Sequence, residues 1–382
     1  MGQTSTVRTL VVTQPGDGHL NPLIPVAEVL RCSGHELLFA TSPSFIADVE
    51  RVGHRAVGVG PPFRWDSALE IWPDGVDHMG EESLAFWARR VNRDITVPLV
   101  QELRPVVEKF CPDVVVAEYA AGAWAQAIAD STGVPFVVTG WAEEPGHETL
   151  TLDEIGGNDA RRELGLSPIT KLDPAMWVVF TPFEWGALAG PPEAATRRYR
   201  LPLKSSGAHF DLPADPPVVY ATLGTVFNTN RRLLKTFIAA IEEGGWTGLV
   251  TVGRNNDPER FQHSDRVIVE RYVPQADILA HTDVMVCHGG LGAMLGAMES
   301  GCPMVVVPLG GDQLGNADKA ARLGIATVIQ PAPASPSVVA DAIASVLTST
   351  THRDAADHIQ REVAAMTPLD ALAQDLASLT GS

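Results

Sequence analysis

The sequence predicts an α/β protein of two doubly wound, Rossmann-like domains facing across a cleft. Three observations predict it. Short β-branched runs alternate with helical segments up to about Thr139. The alternation starts again after residue 215. Between the two runs lies Leu201–Pro217, LPLKSSGAHFDLPADPP, whose Pro, Gly and Ser content marks a linker.

Each element has a local reason. Thr9–Thr13 (TLVVT) reads as a buried strand, and Gln14–Leu20 as a loop punctuated by Pro15, Gly16 and Gly18. A helical period then runs from Asn21 to about Cys32 and stops near Gly34. His35–Ala40, Arg55–Val59, Asp113–Ala117 and Pro135–Thr139 are further strands, with a helix at Ala121–Ser131. In the second half the strands are Val218–Thr222, Gly248–Val252, Val267–Glu270, Val284–Cys287 and Met304–Pro308. Helices are expected at Arg231–Glu243, Leu291–Ser300, Gln313–Leu323 and Pro336–Leu347. The expected division is an acceptor-side domain over 1–205, a linker over 206–217 and a nucleotide-side domain over 218–355. A C-terminal helix over 356–382 is expected to pack back on the first domain.

Composition narrows the function. A chain of 382 residues with 45% apolar content can build two packed cores, at about 100–200 residues per domain. A formal net charge of −18 repels a nucleic-acid backbone and an anionic membrane surface. Cys32, Cys111, Cys287 and Cys302 form no C-x-x-C pair, so no zinc site or disulfide framework is expected. With no signal-peptide pattern and no long apolar run, a cytoplasmic location is expected. Seven of the eight tryptophans precede the linker. Residues 60–90 lack a clear period but hold Phe63, Trp65, Trp72, Phe86 and Trp87. With Trp141, the aromatics Trp65, Trp72, Phe86 and Trp87 are candidates for an apolar acceptor pocket, or else are ordinary core.

The most informative stretch is Cys287–Asn316, CHGGLGAMLGAMESGCPMVVVPLGGDQLGN. A strand ends at Cys287, His288, Gly289, Gly290 and Gly292 follow, and a helix begins. Glycines allow a ligand close to the backbone, and the free N–H groups at a helix start bind phosphate. Upstream, Glu270–Gln275 (ERYVPQ) leads out of a strand. Downstream, Asp312 and Gln313 can hydrogen-bond sugar hydroxyls, or Asp312 could cap the next helix.

YVPQ, HGGLG and DQ at these spacings resemble the C-terminal signature of family 1 glycosyltransferases of the GT-B fold, nearest to bacterial enzymes that glycosylate antibiotics and other natural products. GDGHLNP (Gly16–Pro22) matches that family's GHxxP element, and YATLGTVFN (Tyr220–Asn228) its first strand and loop of the second domain. The resemblance implies a base site at Tyr272, Val273 and Gln275. It places the diphosphate over His288, Gly289, Gly290 and Gly292 with Thr225 nearby, and the sugar at Asp312 and Gln313. Ala293 stands where relatives carry a Ser or Thr hydroxyl, leaving only a backbone N–H. Gly296 stands where plant members place a ribose-binding Glu.

The resemblance also makes His19 the general base. The family orients that histidine with an Asp after the fourth strand, where this chain has Glu118. Glu118 could instead cap the following helix or face solvent. The implied reaction is an inverting, metal-independent transfer of a sugar, a TDP-deoxysugar by family expectation, to a small natural-product acceptor. No cofactor is expected beyond the nucleotide sugar as co-substrate, and homodimerisation is left open. The rival readings are a nucleotide-sugar epimerase of the same fold and a non-catalytic partner of another transferase. An NAD-dependent oxidoreductase is weaker, since no G-x-G-x-x-G follows the first strand.

Overall fold

The computed structural model describes residues 6–77, 81–140, 151–188, 195–203, 205–208, 210, 212, 217–225, 227–332 and 334–380. The chain divides into two compact units. The first comprises Met1–Thr181, Ala189–Leu201 and Thr367–Ser382, the second Pro182–Leu188 and Pro202–Met366. The main crossing thus falls at Leu201, at the start of the Pro/Gly/Ser-rich stretch, and the C-terminal return falls at Thr367 rather than at residue 356.

In chain order the strands of the first unit are β1 (Arg8–Val12), β2 (Glu36–Thr41), β3 (Ala56–Gly58), β4 (Val114–Glu118), β5 (Phe136–Gly140), β6 (Met176–Val179) and β7 (Thr196–Arg200). The second unit holds β8 (Val218–Thr222), β9 (Thr247–Thr251), β10 (Val267–Glu270), β11 (Val284–Cys287), β12 (Met304–Val306) and β13 (Ala326–Val328). β14 (Thr367–Pro368) returns to the first unit beside β7.

The first sheet runs β14-β7-β6-β5-β4-β1-β2-β3, and the second β10-β9-β8-β11-β12-β13. All pairings are parallel. Helices cover both faces of such sheets, which is why central strands such as VVVAE and VVYAT are buried at every position. The first core gathers Leu10, Val12, Val115, Trp124 and Trp177; the second gathers Val219, Phe237, Val250, Val286 and Val305.

Each sheet reverses strand order once, and ligands of doubly wound sheets bind at such switch points. In the first the point lies between β1 and β4, where Val12 pairs with Ala117. In the second it lies between β8 and β11, where Thr222 pairs with Cys287. The loops after β1, β8 and β11 carry His19, Gly224 and His288, and Glu118 ends β4.

Three expectations need correction. The loop Gln14–Leu20 contains one helical turn, Asp17–Leu20, and the main helix starts at Leu23. The segment 60–90 is not irregular: it holds short helices at Trp65–Ser67, Ala68–Ile71 and Pro73–Asp77, then an α-helix at Glu81–Val91. The first three of these pieces are too short to show a period. The C-terminal segment is two helices, Thr350–Ala365 and Leu372–Thr380. The second packs on Leu23–Cys32, with the Tyr199 hydroxyl donating to Asp375. Among the described residues no helix is long and apolar enough to cross a membrane.

Candidate functional site

The first unit brings His19 and Glu118 together. His19 lies in the turn after β1 and Glu118 ends β4, so adjacent strands deliver both. His19 Nδ1 is 3.2 Å from Glu118 Oε2, with the carboxylate side chain 5% exposed and the imidazole 24%. Glu118 also caps its own turn, accepting from Ala120 N at 2.8 Å, and its other oxygen accepts from Gln14 N at 3.2 Å. The extra methylene of glutamate therefore does not cost it the histidine. Capping and histidine contact are satisfied by one carboxylate.

The aromatic candidates separate. Trp72 is 4% exposed and donates its indole N–H to Asp94 at 2.8 Å, so it is core rather than pocket wall. Trp65 is half-buried, with its ring centroid 6.2 Å from that of His19 and 5.8 Å from that of Trp87. Phe86 packs edge-on to Trp87 and under the Arg90 guanidinium. Trp141 lies outside the described residues.

In the second unit two glycines pack against the ring of His288. Gly224 follows β8 with φ +66, and a Cβ there would come within 2.6 Å of His288 Cε1. A Cβ on Gly290 would strike His288 Nε2. The ring is 7% exposed, and burial pushes its pKa down to about 4. His288 is thus a neutral hydrogen-bonding group near pH 7, not a cation. The helix Leu291–Ser300 starts just beyond, with Gly290 as its N-cap. Ala293 N and Met294 N both donate to Gly290 O, at 3.0 and 3.2 Å. The expected donor at Ala293 is therefore already used. Among the described residues, the N–H groups left without a protein acceptor at this helix start are those of Leu291 and Gly292.

Gln313 is also corrected. It is 2% exposed, and its carboxamide oxygen accepts from Leu309 N at 2.8 Å and Gly310 N at 3.3 Å. It braces the turn before its helix and has no surface to offer a sugar. Asp312 is exposed at that helix start and makes no cap; its Oδ2 accepts from Asn316 Nδ2 at 2.8 Å. Asn316, which sequence reasoning passed over, also donates to Gly289 O at 3.0 Å and so ties the glycine turn to the Asp312 segment. Its signal was there only as an i+4 partner of Asp312.

The remaining positions divide by exposure. Tyr272 is 66% exposed, an aromatic face free to stack, whereas Val273 is 3% exposed and packs inward. Gln275 opens the helix Gln275–Leu279. A Cβ on Gly296 would lie 2.8 Å from Gln275 Oε1, so the glycine makes room for this carboxamide. Thr225 is half-buried, and its carbonyl accepts from Asn228 Nδ2 at 2.9 Å.

Two parallel α/β units, each with polar groups on the loops at its switch point, are the arrangement of the GT-B fold. Residues 248–379 match the family described as erythromycin biosynthesis protein CIII-like, C-terminal domain. The 4'-demethylrebeccamycin synthase of Lentzea aerocolonigenes is 28% identical over 353 residues, covering 78% of this chain and 82% of that protein. The calicheamicin glycosyltransferase CalG4 superposes with a TM-score of 0.80 at 18% identity over 99% of both chains. The spinosyn rhamnosyltransferase SpnG complexed with thymidine diphosphate gives 0.78 at 22% identity, over 97% of this chain and all (100%) of that one. The chain is thus similar to the family 1 glycosyltransferases of the GT-B fold, bacterial antibiotic glycosyltransferases among them.

Proposed function

We propose that the chain is an inverting, metal-independent glycosyltransferase that moves a deoxysugar from a TDP-sugar to a hydroxyl of a small natural-product acceptor. The observation that carries this reading is the His19 Nδ1–Glu118 Oε2 distance of 3.2 Å at the switch point of the first sheet. With Nδ1 beside the carboxylate, the proton is favoured on that nitrogen, and Nε2 holds the lone pair and is the base. It takes the acceptor's hydroxyl proton as that oxygen attacks the anomeric carbon. The anomeric C–O bond to the diphosphate breaks from the opposite face, and the nucleoside diphosphate leaves with the electron pair. Glu118 stabilises the imidazolium that forms.

The leaving group's charge is met by N–H donors: Leu291 N, Gly292 N and the neutral His288, at the positive end of the helix dipole. Tyr272 stacks on the base, and Asp312 accepts from sugar hydroxyls. The donor class is supported by the thymidine diphosphate named with SpnG, and the acceptor class by the product named for the Lentzea relative. Trp65, Phe86 and Trp87 supply apolar surface for the acceptor.

His19→Ala tests the assignment. Transfer from a TDP-sugar to a panel of hydroxylated aglycones should fall by about a hundredfold to ten-thousandfold. TDP affinity, read by thermal shift, should stay at the wild-type value. Wild-type transfer in the variant sinks the base assignment, and rapid epimerisation of the nucleotide sugar without acceptor sinks the transferase reading.

A further inference from the structure

Gln14 is 4% exposed, and every polar part of it but one amide hydrogen is engaged. Its backbone N–H donates to Glu118 Oε1 at 3.2 Å, and its carbonyl accepts from the Thr13 hydroxyl at 3.1 Å. Its side-chain Nε2 donates to Ala120 O at 2.7 Å. Its Oε1 accepts the indole N–H of Trp65, also at 2.7 Å. Ala120 belongs to the turn that Glu118 caps. One carboxamide therefore grips the carboxylate's turn on one side and an aromatic ring on the other.

Trp65 is held to the same loop a second time, since its backbone N–H donates to Pro15 O at 3.0 Å. Gly16 permits the approach. A Cβ at that position would sit 3.2 Å from Trp65 Cδ1 and 3.3 Å from His19 Cδ2, so indole and imidazole flank the bare backbone. Other tryptophans of this unit behave differently. Trp72 gives its N–H to Asp94 and Trp124 gives its own to Thr96, both away from the loop of His19. Trp65 alone of these three is fastened to that loop. It also packs edge-on against the core residue Phe63 and against Trp87, part of the aromatic surface assigned above to the acceptor.

We infer that Gln14 is a positioning residue that locks Trp65 to the His19–Glu118 pair, so that acceptor wall and base are one rigid piece; this rests on His19 being the base. Glutamine suits the position because it donates and accepts at once. Leucine would fill the space and break both side-chain bonds, and asparagine is one methylene too short to span them. Base and acceptor must meet within a few tenths of an ångström, and small misplacements cost rate more than binding.

The test uses Gln14→Leu, Trp65→Phe and the double variant. Trp65→Phe keeps an aromatic ring and removes only the indole N–H. Each single variant should lower kcat for transfer from the TDP-deoxysugar to the hydroxylated aglycone that the wild type uses best by about tenfold to a hundredfold, with KM for the TDP-deoxysugar unchanged. Both cut the same link, so the double variant should be no slower than the worse single. Proton NMR gives a readout independent of acceptor choice. The low-field His19 Nδ1–H resonance, identified by its loss in His19→Ala, should broaden or vanish in both single variants. A role limited to stability would lower the melting temperature and leave that resonance and kcat intact, which would overturn the inference; so would strictly additive losses. Wild-type behaviour of these variants beside an inactive His19→Ala refutes the positioning role alone, whereas an active His19→Ala refutes the base on which it rests.

Discussion

Replacing His288 by glutamine removes an imidazole that the fold holds neutral, and the consequence can be worked out from its burial. The ring is enclosed by Gly224 and Gly290, and its pKa falls from the ordinary 6.5 to about 4 because burial penalises the charged form. A folded-state value below the unfolded one means that the unfolded chain binds the proton first. The stability tied to this group is therefore fully present above about pH 6.5 and is lost as pH falls through about 4. A gap of that size corresponds to a ceiling of about 3 kcal/mol below pH 4, of which about 2 kcal/mol is already lost between pH 7.5 and pH 5. Other histidines and carboxylates titrate in the same range, but they cancel when the variant is subtracted from the wild type. Urea unfolding at pH 7.5 and pH 5 should show the wild type losing about 2 kcal/mol more than His288→Gln. In the folded wild type the His288 Cε1–H resonance should not move between pH 8 and pH 5.5. Equal acid sensitivity of the two proteins, or a His288 midpoint above pH 6, would refute the argument. The neutral ring also limits what it gives the donor: His288→Gln should weaken TDP by about twofold to tenfold, the scale of one neutral hydrogen bond rather than of a buried charge pair.

Two further outcomes follow from the second unit. Gly224→Ala places a Cβ within 2.6 Å of His288 in a backbone conformation with φ +66. It should destabilise by about 2–4 kcal/mol in urea and abolish the thermal shift given by TDP; a variant of wild-type stability would show the packing around His288 to be loose. Asp277 accepts from the Ser205 hydroxyl, the Ser206 N–H and hydroxyl and the Gly207 N–H, which hold its pKa down to about 2, Ser205 first among the causes. Asp277→Ala should therefore free the chain at 205–207 and speed its cleavage by a broad-specificity protease at neutral pH. Lowering the pH of the wild type should produce the same release only as it falls through about 2, because the depressed carboxylate stays ionised above that. Unchanged cleavage in the variant would mean that other contacts hold the segment.

What could be read from the sequence follows from how each feature is encoded. The central strands are buried on both faces, so each is a short apolar run, and Val218–Thr222 and Val284–Cys287 have the expected bounds. Edge strands lack that mark. β7 (TRRYR) carries three arginines, and β14 has two residues that exist as strand only beside β7. The helix Val97–Phe110 contains Pro98 and Pro105, which break the pattern a reader looks for, although the chain accommodates both.

The site divides along a similar line. The residues proposed to meet ligands sit at loop starts, where a strand, glycines and a helix follow one another in sequence, so His19, His288 and the turn around Gly290 are visible in the chain itself. Residues that hold them do so by hydrogen bonds to distant segments. Gln14 reaches Glu118 across 104 positions and Trp65 across 51, and Asn316 reaches Gly289 across 27. No local pattern encodes such a bond, because a glutamine that braces and a glutamine in solvent look alike in a sequence. Gln313 shows the converse: a DQ pair in the expected place reads as a sugar ligand, yet its carboxamide oxygen is spent on Leu309 and Gly310. Motif position thus locates the site, and only the hydrogen-bond partners decide which of its residues are free to act.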